Sequence, residues 1–273
     1  MIKDSIILAN EIRKQSLGMV YRAGASHIGG ALSMADILAV LYSSELKYQP
    51  NNPSWDERDR FILSKGHSCV ALYSTLALSD FYPLSDLLDY GKEGSPFLSH
   101  ISHHIPGVEV SSGSLGHGLP FATGVALAAK TARKDYRTYV LVGDGEMNEG
   151  SNWEAILLAT KLKMNNLCLI IDYNKLQGYG RTDDVLPLYP LKEKLEAFGW
   201  NCIEIDGHNH DEIKEAFLKA RQTTDKPTAI VANTIKGKGV SYMEDELLWH
   251  YRSPNEEEYN KALKELEKLE QNL

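Results

Sequence analysis

The chain has 273 residues, of which 43% are hydrophobic and 24% charged, with a net charge of −8; this is the profile of a globular protein with enough chain for a sizeable core. Both signs of charge are interspersed and no basic patch runs along the sequence, so a nucleic-acid role has no support. No window approaches the roughly 18 apolar residues of a membrane span, and the N-terminus lacks the uninterrupted apolar core of a signal peptide.

The first fifty residues read as helices, with N-terminal helices expected over 1–55 and the stretch "LSMADILAVLYSSEL" an amphipathic helix capped by Ser33. Apolar strand-like runs follow at Phe61–Leu63, Tyr139–Val142, Leu167–Ile171, Cys202–Ile205 and Thr228–Ala232. Between them lie helical patterns at Phe121–Lys134, Asn152–Lys163 and Asp211–Arg221. Strands alternating with helices, several of them apolar on both faces, predict one α/β domain over 1–273: a doubly wound, mostly parallel sheet with helices on both faces. Residues Ser95 to Gly118 form a long segment rich in Gly, Ser, His and Pro, and loops of that length are usually functional or disordered. A charged helix at about 255–272 closes the chain, with Pro254 near its start. Cys69, Cys168 and Cys202 are scattered without CxxC spacing, which fits core positions in a reducing cytoplasm.

In "YVLVGDGEMNEGSNWEAILLATKL", Asp144 stands where a buried strand ends, between Gly143 and Gly145. Ligands of a parallel α/β sheet bind beyond the carboxyl ends of its strands. The two glycines would allow unusual backbone angles and close approach, and a helix starting near Ser151 would turn its amides toward an anion. Thirty residues on, "LCLIIDYNKLQG" is a second buried strand and ends at Asn174. If the two strands are neighbours, a carboxylate and an amide oxygen meet, a hard-oxygen set for Mg²⁺, with Ca²⁺ a substitute.

GDG followed by Asn at this spacing is the thiamine-diphosphate fingerprint, and "GDGEMNEGSNWEA" resembles its transketolase version. The resemblance runs from Asp4 to about Tyr259 through "RAGASHIGGALSMADILAVLY", "RFILSKGHSCVALY", "SHISHHIPGVEVSSGSLGHGLPFATGVALAAK" and "ANTIKGKGVSYMEDELLWHYRSP". It implies that Asp144, Asn174 and the carbonyl of Leu176 bind Mg²⁺, and that Gly145 and His67 hold the diphosphate. The Ser114-Leu115-Gly116 turn would lie against the pyrimidine ring. His27, His100 and His250 would position donor hydroxyls and move protons, with His103 the rival of His100. Glu149 would sit at a subunit contact near the cofactor; a helix N-terminal acid favoured by the dipole is the other reading. A zinc site in "HISHH" lacks supporting cysteines. Lys236 and Lys238 in "IKGKG" lack P-loop spacing, and His208 and His210 suit turn or capping roles.

In this family a glutamate that activates the pyrimidine lies on a second α/β domain, which the residues after about 259 are too few to build. The resemblance therefore implies a split transketolase, a cytoplasmic enzyme of pentose phosphate metabolism. Its separate C-terminal subunit would carry the pyrimidine-binding domain, the assembly would be an α2β2 heterotetramer, and the substrates would be sugar phosphates. The chain alone would be inactive. Other thiamine-diphosphate enzymes of the deoxyxylulose-phosphate synthase or 2-oxo acid dehydrogenase type, and a non-catalytic cofactor-binding module, remain as alternatives. Departures at Tyr251, where many relatives have glycine, and at "SHISHH" leave the sugar open.

Overall fold

The computed structural model describes residues 2 and 4–271. Helices α1 (Ser5–Ala23), α2 (Ile28–Ser33), α3 (Ala35–Val40) and α4 (Cys69–Leu78) come first, followed by α5 (Gly118–Thr131), α6 (Gly150–Lys161) and α7 (Thr182–Val185). The last three are α8 (Leu191–Ala197), α9 (His210–Gln222) and α10 (Glu256–Gln271). Strands β1 (Arg60–Leu63), β2 (Thr138–Gly143), β3 (Leu167–Tyr173), β4 (Asn201–Asp206) and β5 (Thr228–Asn233) form one parallel sheet in the order β1-β2-β3-β5-β4.

Alternation along the strands explains the layers. Tyr139, Leu141, Cys168 and Ile170 face one core with α1 to α4 and α9, while Val140, Val142, Leu169 and Ile171 face another with α5, α6 and α8. Side chains of successive strand residues point to opposite faces, so strands apolar at every position need helices on both sides. Edge strand β4 is the exception, with Glu204 and Asp206 exposed. All three cysteines are buried and free. Among the described residues, no helix is long and apolar enough to cross a membrane.

Several boundaries differ from the sequence expectation. The N-terminal helical region ends with a π turn at Leu41–Glu45, not at 55. Ser33 caps nothing; its hydroxyl donates to the Gly30 carbonyl and to Asp172 Oδ2, and α3 is buried throughout, not amphipathic. Helix α5 begins at Gly118 and takes Pro120 into its first turn, where proline's missing N–H costs nothing. At α10, Asn255 Oδ1 accepts from the Glu258 amide and Glu258 Oε2 from the Asn255 amide. This reciprocal pair is a capping box and puts Pro254 outside the helix; residue 272 lies outside the described residues.

Candidate active site

The strand-end residues meet as the sheet order requires. Gly143 of β2 pairs with Asp172 of β3, so Asp144 and Asn174 leave adjacent strand ends. Both are buried. Asp144 Oδ1 accepts from the Gly145 amide at 2.7 Å, and Oδ2 accepts from the Lys175 amide at 2.6 Å and Thr182 Oγ1 at 3.1 Å. Burial and then the Asp172 carboxylate push the Asp144 pKa up, and a cation at its oxygens would reverse that. Asn174 Nδ2 donates to Asp172 Oδ2 at 3.3 Å, which leaves Oδ1 as the acceptor side of the amide. Asp144, Asn174 and Leu176 line one cavity of about 670 Å³. Carboxylate, amide and carbonyl oxygens make a donor set for a hard divalent cation. No group of three His, Cys, Asp or Glu side chains suited to a metal occurs among the described residues, so the "HISHH" segment gains no zinc site.

Of the unusual backbone angles and close approach expected at Gly143 and Gly145, the close approach is met at Gly145 alone and the angles at neither. Neither adopts the left-handed region. A Cβ on Gly145 would lie 3.1 Å from the Gln177 side chain, and one on Gly143 would meet only Lys65 Cδ at 3.9 Å, so these glycines keep the cavity wall thin. After Asp144 the chain makes a 3-10 turn, Gly145–Asn148, before α6 starts at Gly150, so a short extra turn separates the strand end from the helix.

Four histidines converge on the same cavity: His27, His67, His100 and His250. The His27 ring lies 5.2 Å from that of His67, 5.0 Å from that of His250 and 6.1 Å from that of His100. His27 takes a left-handed backbone, φ 69°, and its amide donates to the His250 carbonyl at 3.0 Å. Such a conformation in a non-glycine residue is held only where the surroundings demand it. Burial, then His100 and Lys236, lower the His27 pKa to about 4; burial, then Lys236, lower that of His250 to about 3. His67 is also held well below its ordinary value, chiefly by burial and then by Lys65. These three rings are therefore neutral near pH 7. His103 points elsewhere, with Nδ1 2.7 Å from Ser111 Oγ and its ring against His104. His208 and His210 do not cap α9, which Asn209 does; both brace the buried Asp36 carboxylate.

Of the turn Ser114-Leu115-Gly116, Leu115 lines the main cavity and Ser114 a second hollow that Phe121 also lines, while Gly116 lines neither. Gly116 has φ +83°, and a Cβ there would lie 2.6 Å from both Glu149 Cβ and Ser151 Oγ. Glu149 is the exposed N-cap residue of α6 without a side-chain capping bond, and it also lines the cavity. Sequence reasoning gives no site role to four charged residues: Lys65, Glu146, Asp172 and Lys236, the last set aside for want of P-loop spacing. Lys65 Nζ donates to Asp172 Oδ2 at 2.5 Å, and both side chains are buried. Lys236 Nζ donates to the Leu176 carbonyl at 2.7 Å and to His250 Nδ1 at 2.9 Å. Burial and then Lys65 lower the Lys236 pKa to about 8. The lysine of "SKGH" and the first of "IKGKG" are the signals that could have found two of them, although the second lacks P-loop spacing.

Comparison with known proteins identifies the family. The family model described as transketolase, thiamine diphosphate binding domain, matches residues 5–267. An apulose-4-phosphate transketolase subunit of Phocaeicola vulgatus is 42% identical over 262 residues, 94% of this chain and 93% of the relative. The 6-deoxy-6-sulfo-D-fructose transketolase subunit SqwG of a Clostridium species is 42% identical over 261 residues, 95% of each. A crystal structure of transketolase from Campylobacter jejuni superposes with a TM-score of 0.92 at 36% identity, covering 98% of this chain and 43% of that one. The chain thus spans less than half the length of that solved transketolase, and it belongs to the transketolase family as a thiamine diphosphate binding domain.

Proposed function

We propose that this chain, as a single diphosphate-binding domain, is the N-terminal subunit of a two-subunit transketolase. The reaction moves a two-carbon ketol unit from a ketose phosphate to an aldose phosphate. One observation carries the proposal: two relatives, both named transketolase subunits, match this chain at 42% identity over 93% and 95% of their own lengths.

In this reading Asp144, Asn174 and the Leu176 carbonyl hold Mg²⁺, for which Ca²⁺ could substitute. The Gly145 amide and His67 hold the diphosphate, the Ser114-Leu115-Gly116 turn supports the pyrimidine, and Glu149 faces a subunit contact. Thiamine diphosphate supplies carbanion stabilisation at its thiazolium carbon when bound. The donor-binding work falls to His27, His100 and His250. Lys236 donates to His250 Nδ1, so the proton of the neutral ring sits on Nε2, available to a substrate hydroxyl. Lys236 also occupies the Leu176 carbonyl, and a metal there would share or displace that contact.

A partner carrying the pyrimidine-binding domain would complete the site, with two copies of each chain. Exposed apolar side chains on α5 and α6 support association: Phe121 is 44% exposed, Leu157 56% and Leu158 48%. Three buried free thiols suit a cytoplasmic setting. The test is to purify the tagged chain from its host with Mg²⁺ and thiamine diphosphate, identify the co-purifying protein, and assay the complex. The expected result is a stoichiometric partner of roughly 300 residues, enough for two further domains, and ketol transfer by the complex. A chain that elutes alone, or a complex without ketol transfer, contradicts the proposal.

A further inference from the structure

Glu146 is an oddity of the fold. It is 1% exposed and follows the strand-end Asp144 by two residues, yet the three groups that donate to its carboxylate are all neutral. Glu146 Oε1 accepts from the Ser64 hydroxyl and from the Gly116 amide at 2.8 Å, and Oε2 accepts from the Gly143 amide at 3.3 Å. Those donors sit after β1, in the Ser114-Leu115-Gly116 turn and at the end of β2. A buried charge is tolerated only with such a set of donors.

The second connection runs through Ser64. Its Oγ accepts from the Gly118 amide at 3.0 Å while donating to Glu146, so Glu146 holds both ends of the segment 116–118. On the far side, Ser151 Oγ donates to the Gly116 carbonyl at 2.7 Å. The Gly116 peptides are thus gripped by Glu146 on one side and by the start of α6 on the other. Gly116 needs this grip because it alone of the three turn residues has a positive φ, a conformation that an unrestrained glycine leaves freely.

We infer that Glu146 is a positioning residue: it fixes the Ser114-Leu115-Gly116 turn against the strand ends and so sets the wall on which the pyrimidine ring of thiamine diphosphate rests. The inference rests on the proposed reading of the site. In that reading Glu146, which accepts from the Gly116 amide, serves the ring side of the cavity, whereas Asp144 and Asn174 serve the diphosphate side. Losing the carboxylate therefore weakens binding of the whole cofactor more than binding of its diphosphate alone.

Titration calorimetry on the chain assembled with its partner separates these cases, with Mg²⁺ and either thiamine diphosphate or inorganic pyrophosphate as ligand. In Glu146→Ala, affinity for thiamine diphosphate is expected to fall about tenfold or more, the worth of a hydrogen bond to a charged group, while pyrophosphate affinity holds. Glu146→Gln keeps one acceptor oxygen and should fall between; it carries the test if the alanine variant does not fold. Equal losses for both ligands would make Glu146 a general scaffold residue, and unchanged cofactor affinity would remove its role; either overturns the inference. A wild-type complex that binds pyrophosphate but not thiamine diphosphate also overturns it, since the ring wall would not be formed. If the wild-type complex binds neither, the proposed function itself fails with it.

Discussion

Lys236 Nζ lies 2.9 Å from His250 Nδ1 and donates to it, so an ammonium sits against a ring whose pKa it helps to hold at about 3. Burial is the larger cause and Lys236 the next. Removing the ammonium should raise the His250 pKa while leaving it below its ordinary value. An NMR titration of the His250 ring in Lys236→Met checks this; an unchanged titration would contradict the pairing.

Acid stability follows from the same rings. His27, His67 and His250 have lowered pKa values in the folded chain. Below about pH 6.5, the ordinary histidine value, the unfolded chain takes up protons that the folded chain refuses. Their contribution is therefore complete above that pH and is lost as pH falls toward 4 and then 3. Asp144 and Glu146, pushed up by burial, act in the opposite sense and lose stability as pH rises through the carboxylate range. Between pH 7 and pH 5 the melting temperature of His250→Gln should fall less than that of the wild type. Parallel curves would show that His250 has an ordinary pKa.

The buried pair of Lys65 and Asp172 should be a stability determinant. Asp172 is fully buried and accepts from Lys65, Ser33, Thr234 and Asn174. Removing one partner of such a pair costs about 3–5 kcal/mol. Urea unfolding of Lys65→Met should show a loss of that size; a change below about 1 kcal/mol, the scale of a surface pair, would count against it.

On α6, Leu157→Glu should weaken association without unfolding the chain. The side chain is 56% exposed, and surface substitutions usually move stability by within about 0.5 kcal/mol. Sedimentation velocity of the complex should show partial dissociation at a concentration where the wild type is assembled. An unchanged sedimentation profile would remove this face from the interface.

Much of the fold is readable because buried strands leave a plain trace: runs such as "YVLV" and "LCLII" are apolar on both faces. The insertion of β5 between β3 and β4 is not readable, since strand order depends on how crossovers pack and not on local pattern. The meeting of Asp144 and Asn174 is legible because each follows the end of a buried apolar strand, and the two strands are neighbours. Lys65, Glu146 and Asp172 are not, because a charged residue in a sequence looks the same whether it is solvated or buried in a pair. Ser33 misleads for a related reason: a serine before a helical pattern reads as a cap, but here Asp172 takes its hydroxyl. The loop "SHISHH" leaves His100 and His103 undecided, since spacing within a loop says little about which ring turns inward; it is His100 that lines the cavity.

The measurement that tests the account most directly is ketol transfer by four preparations: this chain, its co-purified partner, the two together, and the two together with Asp144→Ala. With Mg²⁺ and thiamine diphosphate present, activity is predicted for the wild-type pair alone, and its loss in the variant pair with assembly intact. Transfer by either chain by itself, or full activity with Asp144→Ala, would contradict a split enzyme built on the ends of β2 and β3.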